Sequence, residues 1–417
     1  MSAVHHAVAV GAGPANLSLA ALYEKGGAGR LPILERWPGP EWHAGLLFPG
    51  TRLQTPWIKD LVSLVDPRHE LSFLNYLVSS GRVFSFLNAG FEAIPRVEYA
   101  RYLAWAGERL DVRYGVGIDG VGFDDGFVLR TGETVVARAQ HVIIGVGTRP
   151  ALPPCLGGEP PPGALPADEL AGRMPGMDRE EPVAVVGSGQ TGAECVLALL
   201  HAGFLRVAWL GRRHWFAPLD DSPTANEMYR PSYTAFFYGL TREERARLLR
   251  RQTLTSDGIS ESVLREIYQF QYEQYLRTGR SPLTMLPGRE LVGLGARRDR
   301  LTLDCVPPTG GRERHEARHV VLATGREPAP LDLAPELAEM IETDENGDPL
   351  VEEDYSVRWK HADRHGIYLQ NRAAATHGYA DPNLSLLSVR AATIVNSLFQ
   401  RTVHRILDEQ RVTFYGD

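Results

Sequence analysis

Val183-Ala184-Val185-Val186-Gly187-Ser188-Gly189-Gln190-Thr191-Gly192 runs a short apolar strand into a glycine turn, and Ala193-Glu194-Cys195-Val196-Leu197-Ala198-Leu199 continues it with helical character. Gly187, Gly189 and Gly192 complete a G-x-G-x-x-G pattern. The first glycine permits the tight turn, the second lets a pyrophosphate approach the backbone, and the third lets helix pack on strand. The helix N-terminus adds amide donors and a favourable dipole. Ser188 and Gln190 complete the expected phosphate turn. The next strand, Leu205-Arg206-Val207-Ala208-Trp209-Leu210, leads into Gly211-Arg212-Arg213 rather than an acid. An acid there binds a ribose 2′-hydroxyl, whereas arginines suit a 2′-phosphate. The pattern therefore predicts NADPH, with Arg212 and Arg213 at its phosphate. Two solvated surface arginines are the competing reading.

The same grammar occurs near the N-terminus. Val8-Ala9-Val10-Gly11-Ala12-Gly13-Pro14 precedes the helical Asn16-Leu17-Ser18-Leu19-Ala20-Ala21-Leu22. Gly11 and Gly13 are present, Pro14 suits a first helical turn, and Asn16 takes the third glycine's place. The strand Leu31-Pro32-Ile33-Leu34 ends in Glu35, an acid placed for a ribose hydroxyl such as that of FAD. Two further strands match each other, at 141–150 and 319–328. Each ends in glycine and a proline turn, and both are read as crossovers between two nucleotide domains. The Pro- and Gly-rich stretch between Pro150 and Pro182 reads as a linker with little regular structure. Thr241 to Leu276 is charged and helical, and the tail from about Ser385 to Val412 reads as helix. The expected fold is α/β with two dinucleotide-binding, Rossmann-like domains. Residues 1–150 and 326–417 form a discontinuous FAD domain, 151–182 the linker, and 183–325 an inserted NADPH domain. A small helical substrate region lies at about 241–280.

The 417 residues exceed one ordinary core. With 43% hydrophobic and 23% charged residues, the composition is that of a globular chain. A net charge of −7 gives no reason to expect nucleic acid. No apolar run approaches the roughly 20 residues of a membrane span. The first residues, Met1-Ser2-Ala3-Val4-His5-His6, show no charged n-region or cleavage site, which argues against secretion and for the cytoplasm. Cys155, Cys195 and Cys305 are far apart, so no disulfide framework, metal centre or dithiol is expected.

Two nucleotide motifs without a dithiol imply hydride transfer from a nicotinamide to a flavin. With no CxxC to reduce a disulfide, O2 is the remaining common acceptor. A Baeyer–Villiger or sulfur-oxidising monooxygenase would carry Phe-x-Gly-x-x-x-His between the glycine motifs, and that pattern is not found. A non-catalytic flavoprotein is the alternative from another class, and it predicts a flavin that NADPH does not reduce.

Longer blocks make the comparison specific. They are Gly11-Ala12-Gly13-Pro14-Ala15-Asn16-Leu17-Ser18, Trp42-His43-Ala44-Gly45, Leu53-Gln54-Thr55-Pro56-Trp57-Ile58-Lys59-Asp60-Leu61-Val62, Ser72-Phe73-Leu74-Asn75-Tyr76-Leu77, the segment from Pro95 to Ala106, and Ala323-Thr324-Gly325. In order along nearly the whole chain, they resemble the microbial N-hydroxylating flavin monooxygenases of siderophore biosynthesis, the lysine and ornithine N-monooxygenases. Thr255-Ser256-Asp257-Gly258-Ile259-Ser260 and the segment from His377 to Leu386 look like the lysine and diamine branch. Arg326 departs from the pattern, since many relatives have tyrosine after Ala-Thr-Gly.

The resemblance implies FAD, NADPH and O2, a C4a-hydroperoxyflavin, and transfer of its distal oxygen to a neutral amine. L-lysine is the expected substrate; a diamine such as cadaverine or putrescine, and then ornithine, are the alternatives. It implies FAD contacts from Trp42, His43, Gln54, Leu384 and Ser385, besides the glycine turn and Glu35. Lys59 binds the substrate carboxylate, Gln54 lies near the flavin ring, and Asn226 contacts substrate and nicotinamide. Ser256 takes the place of a substrate-contacting asparagine of the ornithine branch, and Asp257 faces the amine. Plainer readings stand beside these. Lys59 is then a surface lysine next to Asp60, Ser256 and Asp257 cap the following helix, and His377 is structural. No protein acid or base is required. Relatives are commonly tetramers, so a homo-oligomer is expected.

Overall fold

The computed structural model describes residues 4–408 and 410–415. Two sheets carry the chain. In the first, the strand order is Val112–Tyr114, Ile33–Glu35, Val4–Val10, Thr134–Ile144, Phe127–Thr131 and Gly120–Phe123. Ile367–Leu369 pairs in parallel with the end of Thr134–Ile144. In the second, Ala164–Pro166, His319–Leu322, Val183–Val186, Val207–Gly211 and Leu283–Pro287 are all parallel. Ala7–Val10 and Val183–Val186 are continuous buried runs rather than alternating ones. That pattern belongs to strands covered on both faces. The expected pair of dinucleotide-binding α/β units is therefore present.

The chain leaves the first sheet after Ile144 and returns to it at Ile367. Both passages run through one antiparallel ribbon, Thr148–Pro150 against Arg326–Pro328. The first unit is thus discontinuous and the second is inserted into it. Each has its own core. Ile33, Val142, Tyr99 and Tyr102 belong to the first, and Val185, Leu199 and Trp209 to the second.

Two expectations need correction. The segment 151–182 is more than a linker. Its Ala164–Pro166 adds to the open edge of the second sheet in register with Val320–Leu322, and Leu170–Arg173 is a short helix. An unpaired parallel edge offers backbone partners that Pro and Gly nearby do not forbid. The C-terminal helix is also shorter than read, spanning Leu387–Leu398. Asn396 stops it. Its Oδ1 accepts from Val403 N at 2.8 Å and His404 N at 2.9 Å, and its Nδ2 donates to His404 O at 2.8 Å. The chain folds back there, and His404 Nε2 meets Leu22 O at 2.8 Å.

The charged stretch after Thr241 forms three helices, Arg242–Gln252, Leu254–Asp257 and Glu261–Thr278. Thr241 and Glu244 make a capping box. Helix Arg242–Gln252 buries no residue, so its Glu and Arg are a solvated face. Tyr379 Oη, from the C-terminal part of the chain, donates to Leu249 O at 3.1 Å and ties that part to the helices.

Candidate active site

Each glycine turn has a glycine packed too closely to admit a side chain. Gly11 has φ +91°, and a Cβ there would lie 2.4 Å from Gly145 O, so no other residue fits without displacing the backbone. A Cβ on Gly192 would lie 2.4 Å from Gly187 O, which is the close helix–strand approach expected of a third glycine. Asn16 does the same work in the first turn by a different route. Its Nδ2 donates to Val10 O at 3.0 Å and Gly11 O at 2.8 Å, fastening helix to strand. Pro14 opens the helix Pro14–Tyr23, with Gly13 as its extended N-cap.

Glu35 ends its strand as expected and holds the first turn. Its Oε2 accepts from Ala12 N at 2.6 Å and its Oε1 from Trp37 N at 3.0 Å. Ala12, Glu35, Glu41, Trp42 and Tyr114 line a groove beside that turn. The Trp42 and His43 rings meet edge to face, with centroids 4.7 Å apart. Trp42 and Glu35 thus line one groove beside the turn, while His43 is exposed at the unit boundary.

In the second turn, Gly189 N-caps the helix Gln190–His201. Ser188 and Gln190 lie within reach of neighbouring segments. Gln190 Oε1 accepts from Ser260 N at 2.8 Å, and its Nε2 donates to Glu194 Oε1 at 2.8 Å. Arg212 is exposed. Arg213 Nη1 donates to Asp257 O at 3.0 Å, which holds the end of the short helix Leu254–Asp257 beside the turn.

The residues expected around the substrate come together where the two units meet the helical region. Gln54, on strand Arg52–Pro56, points its Nε2 at Gly258 O (3.2 Å) and Ser260 Oγ (3.2 Å). Lys59 lies three residues beyond that strand, with its Nζ 5.8 Å from the Tyr229 ring centroid. Tyr229 Oη donates to Thr255 O at 2.7 Å, next to Ser256. Tyr229 also packs in one cluster with Ala380 and Leu386, adjacent to Leu384 and the buried Ser385. Asn226 is exposed, and its Nδ2 is held by Asp221 O at 2.8 Å and Ser222 O at 3.2 Å.

The plainer readings separate here. Asp60 does not pair with Lys59. It is buried, and it accepts from Val62 N at 2.9 Å, Ser63 N at 2.7 Å and Phe73 N at 2.6 Å. Those bonds fix the turn from which Lys59 projects. Lys59 is half-buried, has no carboxylate partner among the described residues, and burial lowers its pKa. A desolvated cation without an anion is suited to meeting an anionic ligand. Ser256 and Asp257 end one helix rather than cap the next, whose N-cap is Ser260. His377 is 1% exposed, its Nδ1 meets Thr376 Oγ1 at 2.9 Å and its Nε2 meets Glu353 O at 3.1 Å. It stacks on Tyr355, and its contacts are those of a structural histidine.

Three features escaped the sequence reading. Tyr229 links Lys59 to Thr255. Gln370 is 2% exposed, and neither its Nε2 nor its Oε1 has a protein partner. It follows the strand Ile367–Leu369, at the carboxyl end of the parallel strands of the first sheet, where α/β folds bind ligands. That position, once the strand is known, is the signal that would have found it. The third is the Arg96–Glu194 pair described below. With Asn16 Oδ1, also buried and unpartnered, Gln370 supplies polar atoms suited to a bound cofactor beside the glycine turn. These residues fit FAD at the first sheet and a dinucleotide at the second.

Residues 3–328 match the family described as L-lysine 6-monooxygenase/L-ornithine 5-monooxygenase. The L-lysine N6-monooxygenase of Escherichia coli is 32% identical, over 94% of this chain and 94% of that protein. The FAD-bound cadaverine monooxygenase of the desferrioxamine pathway from Erwinia amylovora superposes with a TM-score of 0.93 at 25% identity, covering 100% of this chain and 99% of that one. The Kutzneria ornithine N-hydroxylase, with reduced FAD, NADP+ and L-ornithine, gives a TM-score of 0.88 at 26% identity, covering 95% and 99%. The chain is an FAD- and NADPH-dependent N-hydroxylating monooxygenase, and it belongs to the L-lysine 6-monooxygenase/L-ornithine 5-monooxygenase family.

Proposed function

We propose that the substrate is L-lysine and the product N6-hydroxylysine, made for a siderophore or related natural product. The observation that carries this reading is Lys59: a half-buried ammonium on a turn held by Asp60, over Tyr229, with no carboxylate partner among the described residues. A substrate carboxylate meets that need and a diamine does not. FAD, when bound, supplies the oxygen-transfer chemistry, and NADPH supplies the electrons.

The protein's own residues bind, orient and exclude water. Lys59 holds the carboxylate, and Asn226 and Ser256 position the chain of the substrate. Tyr229, Ala380 and Leu386 supply apolar surface that keeps water out and favours the uncharged amine, which free lysine holds only above about pH 10.4. Asp257 lies at the rim of this region. Gly11, Gly13, Pro14, Asn16, Glu35, Trp42, Gln54, Ser385 and Gln370 serve FAD. Gly187 to Gly192, with Arg212 and Arg213, serve NADPH. Residues 1–150 and 326–417 thus form the FAD part and 183–325 the NADPH part, with 164–166 joined to the latter. Among the described residues no helix is long and apolar enough to cross a membrane, and we place the enzyme in the cytoplasm. Tyr268, Tyr272, Tyr275 and Leu276 expose an apolar stripe on helix Glu261–Thr278, which favours a homo-oligomer such as a tetramer.

The test is a product panel with L-lysine, L-ornithine, cadaverine and putrescine under NADPH and air, read as hydroxylamine formed per NADPH consumed. Lysine should couple best. Better coupling with cadaverine would transfer the assignment to a diamine.

A further inference from the structure

Arg326, the residue after Ala323-Thr324-Gly325, makes contacts across the crossover ribbon and beyond it. It opens the return strand of the crossover ribbon. Its Nε donates to Thr148 Oγ1 at 2.7 Å and its Nη2 to Thr148 O at 2.8 Å, on the outgoing strand. Its Nη1 donates to Asp168 Oδ2 at 2.9 Å. Asp168 follows Ala164–Pro166, which is hydrogen-bonded into the second sheet. One guanidinium therefore joins both strands of the ribbon to the second unit. A planar fork can do this; a lysine or a tyrosine cannot.

A second ion pair crosses the same boundary. Arg96 opens the helix Arg96–Gly107, which packs into the first core through Tyr99 and Tyr102. Glu194 lies on helix Gln190–His201 of the second unit and its side chain is 1% exposed. Arg96 grips it with two bonds, at 2.7 and 2.9 Å. Between the two pairs, the segment His43–Leu46 lies flat on the second unit. A Cβ on Gly45 would fall 1.5 Å from Asp168 O. Leu46 and Phe48 continue into the second core.

We propose that Arg326–Asp168 and Arg96–Glu194 form a two-point latch that fixes the angle between the two units, and so the pose in which the nicotinamide meets the flavin, with Arg326 as the positioning residue. Two three-residue strands are a weak hinge by themselves. Gln54, Tyr379, Leu46 and Phe48 also touch across the boundary, and the two ion pairs, on either side of the Gly45 contact, add the charged, directional restraint on its angle. This rests on the second unit being the NADPH-binding half.

The experiment uses FAD-loaded enzyme carrying one spectroscopic label on each unit. Arg326→Tyr, Asp168→Asn and the double variant are compared with the parent for label-to-label distance and for anaerobic flavin reduction by NADPH. Each single variant should broaden the distance distribution and slow reduction about 2- to 5-fold, the range for a partly exposed pair that biases a two-state orientation. The double variant should be no slower than either single one, because the two residues act as one contact. The amine KM should not change. Parent-like distances and reduction rates in both single variants would overturn the latch, as would full additivity in the double variant. If NADPH left the flavin of the parent enzyme oxidised, the assignment of the second unit would fall instead, and the latch with it. Glu194→Gln extends the test to the second pair, and its melting curve separates misfolding from misorientation.

Discussion

Replacing Lys59 with methionine keeps an unbranched side chain one atom shorter and removes its charge. Lys59 Nζ is half-buried over Tyr229 and is not neutralised by Asp60, whose oxygens are taken by backbone donors. A hydrogen bond involving a charged partner contributes about 1.5–3 kcal/mol, and partial exposure argues against the top of that range. A loss of about 2 kcal/mol, at 1.4 kcal/mol per tenfold, raises the KM for L-lysine roughly 30-fold. Cadaverine lacks the carboxylate, so its KM should change by less than about threefold on the same reasoning. NADPH oxidation should continue, with peroxide replacing hydroxylamine as the product. The assay follows NADPH, peroxide and hydroxylamine in parallel for both amines. An unchanged lysine KM in a variant that binds FAD normally would refute the role. A pH series adds a check. Burial lowers the Lys59 pKa, so its charge is lost at a lower pH than for a free lysine. The lysine KM should therefore climb on the alkaline side, and Lys59→Met should abolish that climb.

Asn16→Ala removes the two bonds to Val10 O and Gly11 O; Val10 O keeps the Gly145 amide, and Gly11 O loses the Asn16 donor. It should cost about 2 kcal/mol of stability and reduce FAD retention, read by melting with and without added FAD. Arg212→Ala with Arg213→Ala should weaken NADPH selectively over NADH; an unchanged coenzyme preference would refute the phosphate role. Gln370→Leu replaces two unpartnered buried polar atoms with apolar ones, and it should lower FAD occupancy while leaving apo-protein melting unchanged or raised. Tyr272→Asp with Tyr275→Asp should shift the sedimenting species to a smaller size if helix Glu261–Thr278 forms a subunit contact.

The two glycine motifs, the acid after one strand and the arginines after the other determined the paired dinucleotide architecture by themselves. They could, because a tight turn and a close helix–strand approach are local demands that only a few residue types satisfy. Even the exception at Asn16 is local: a short amide can tie the turn it sits in. The strand at Ala164–Pro166 was not legible, because an edge strand is defined by the partner it finds and not by its own three residues. The end of the C-terminal helix depended on where Asn396 met Val403 and His404. The substrate site was legible in Lys59 only as one of two readings. The tertiary structure favoured one of them by turning Asp60 towards its own backbone and bringing Tyr229, 170 positions later, beneath the lysine. Arg96 and Glu194, 98 positions apart, carry no pattern that pairs them. Charge partners across a boundary are chosen by how two folded units dock, and docking is a property of surfaces that no stretch of chain contains.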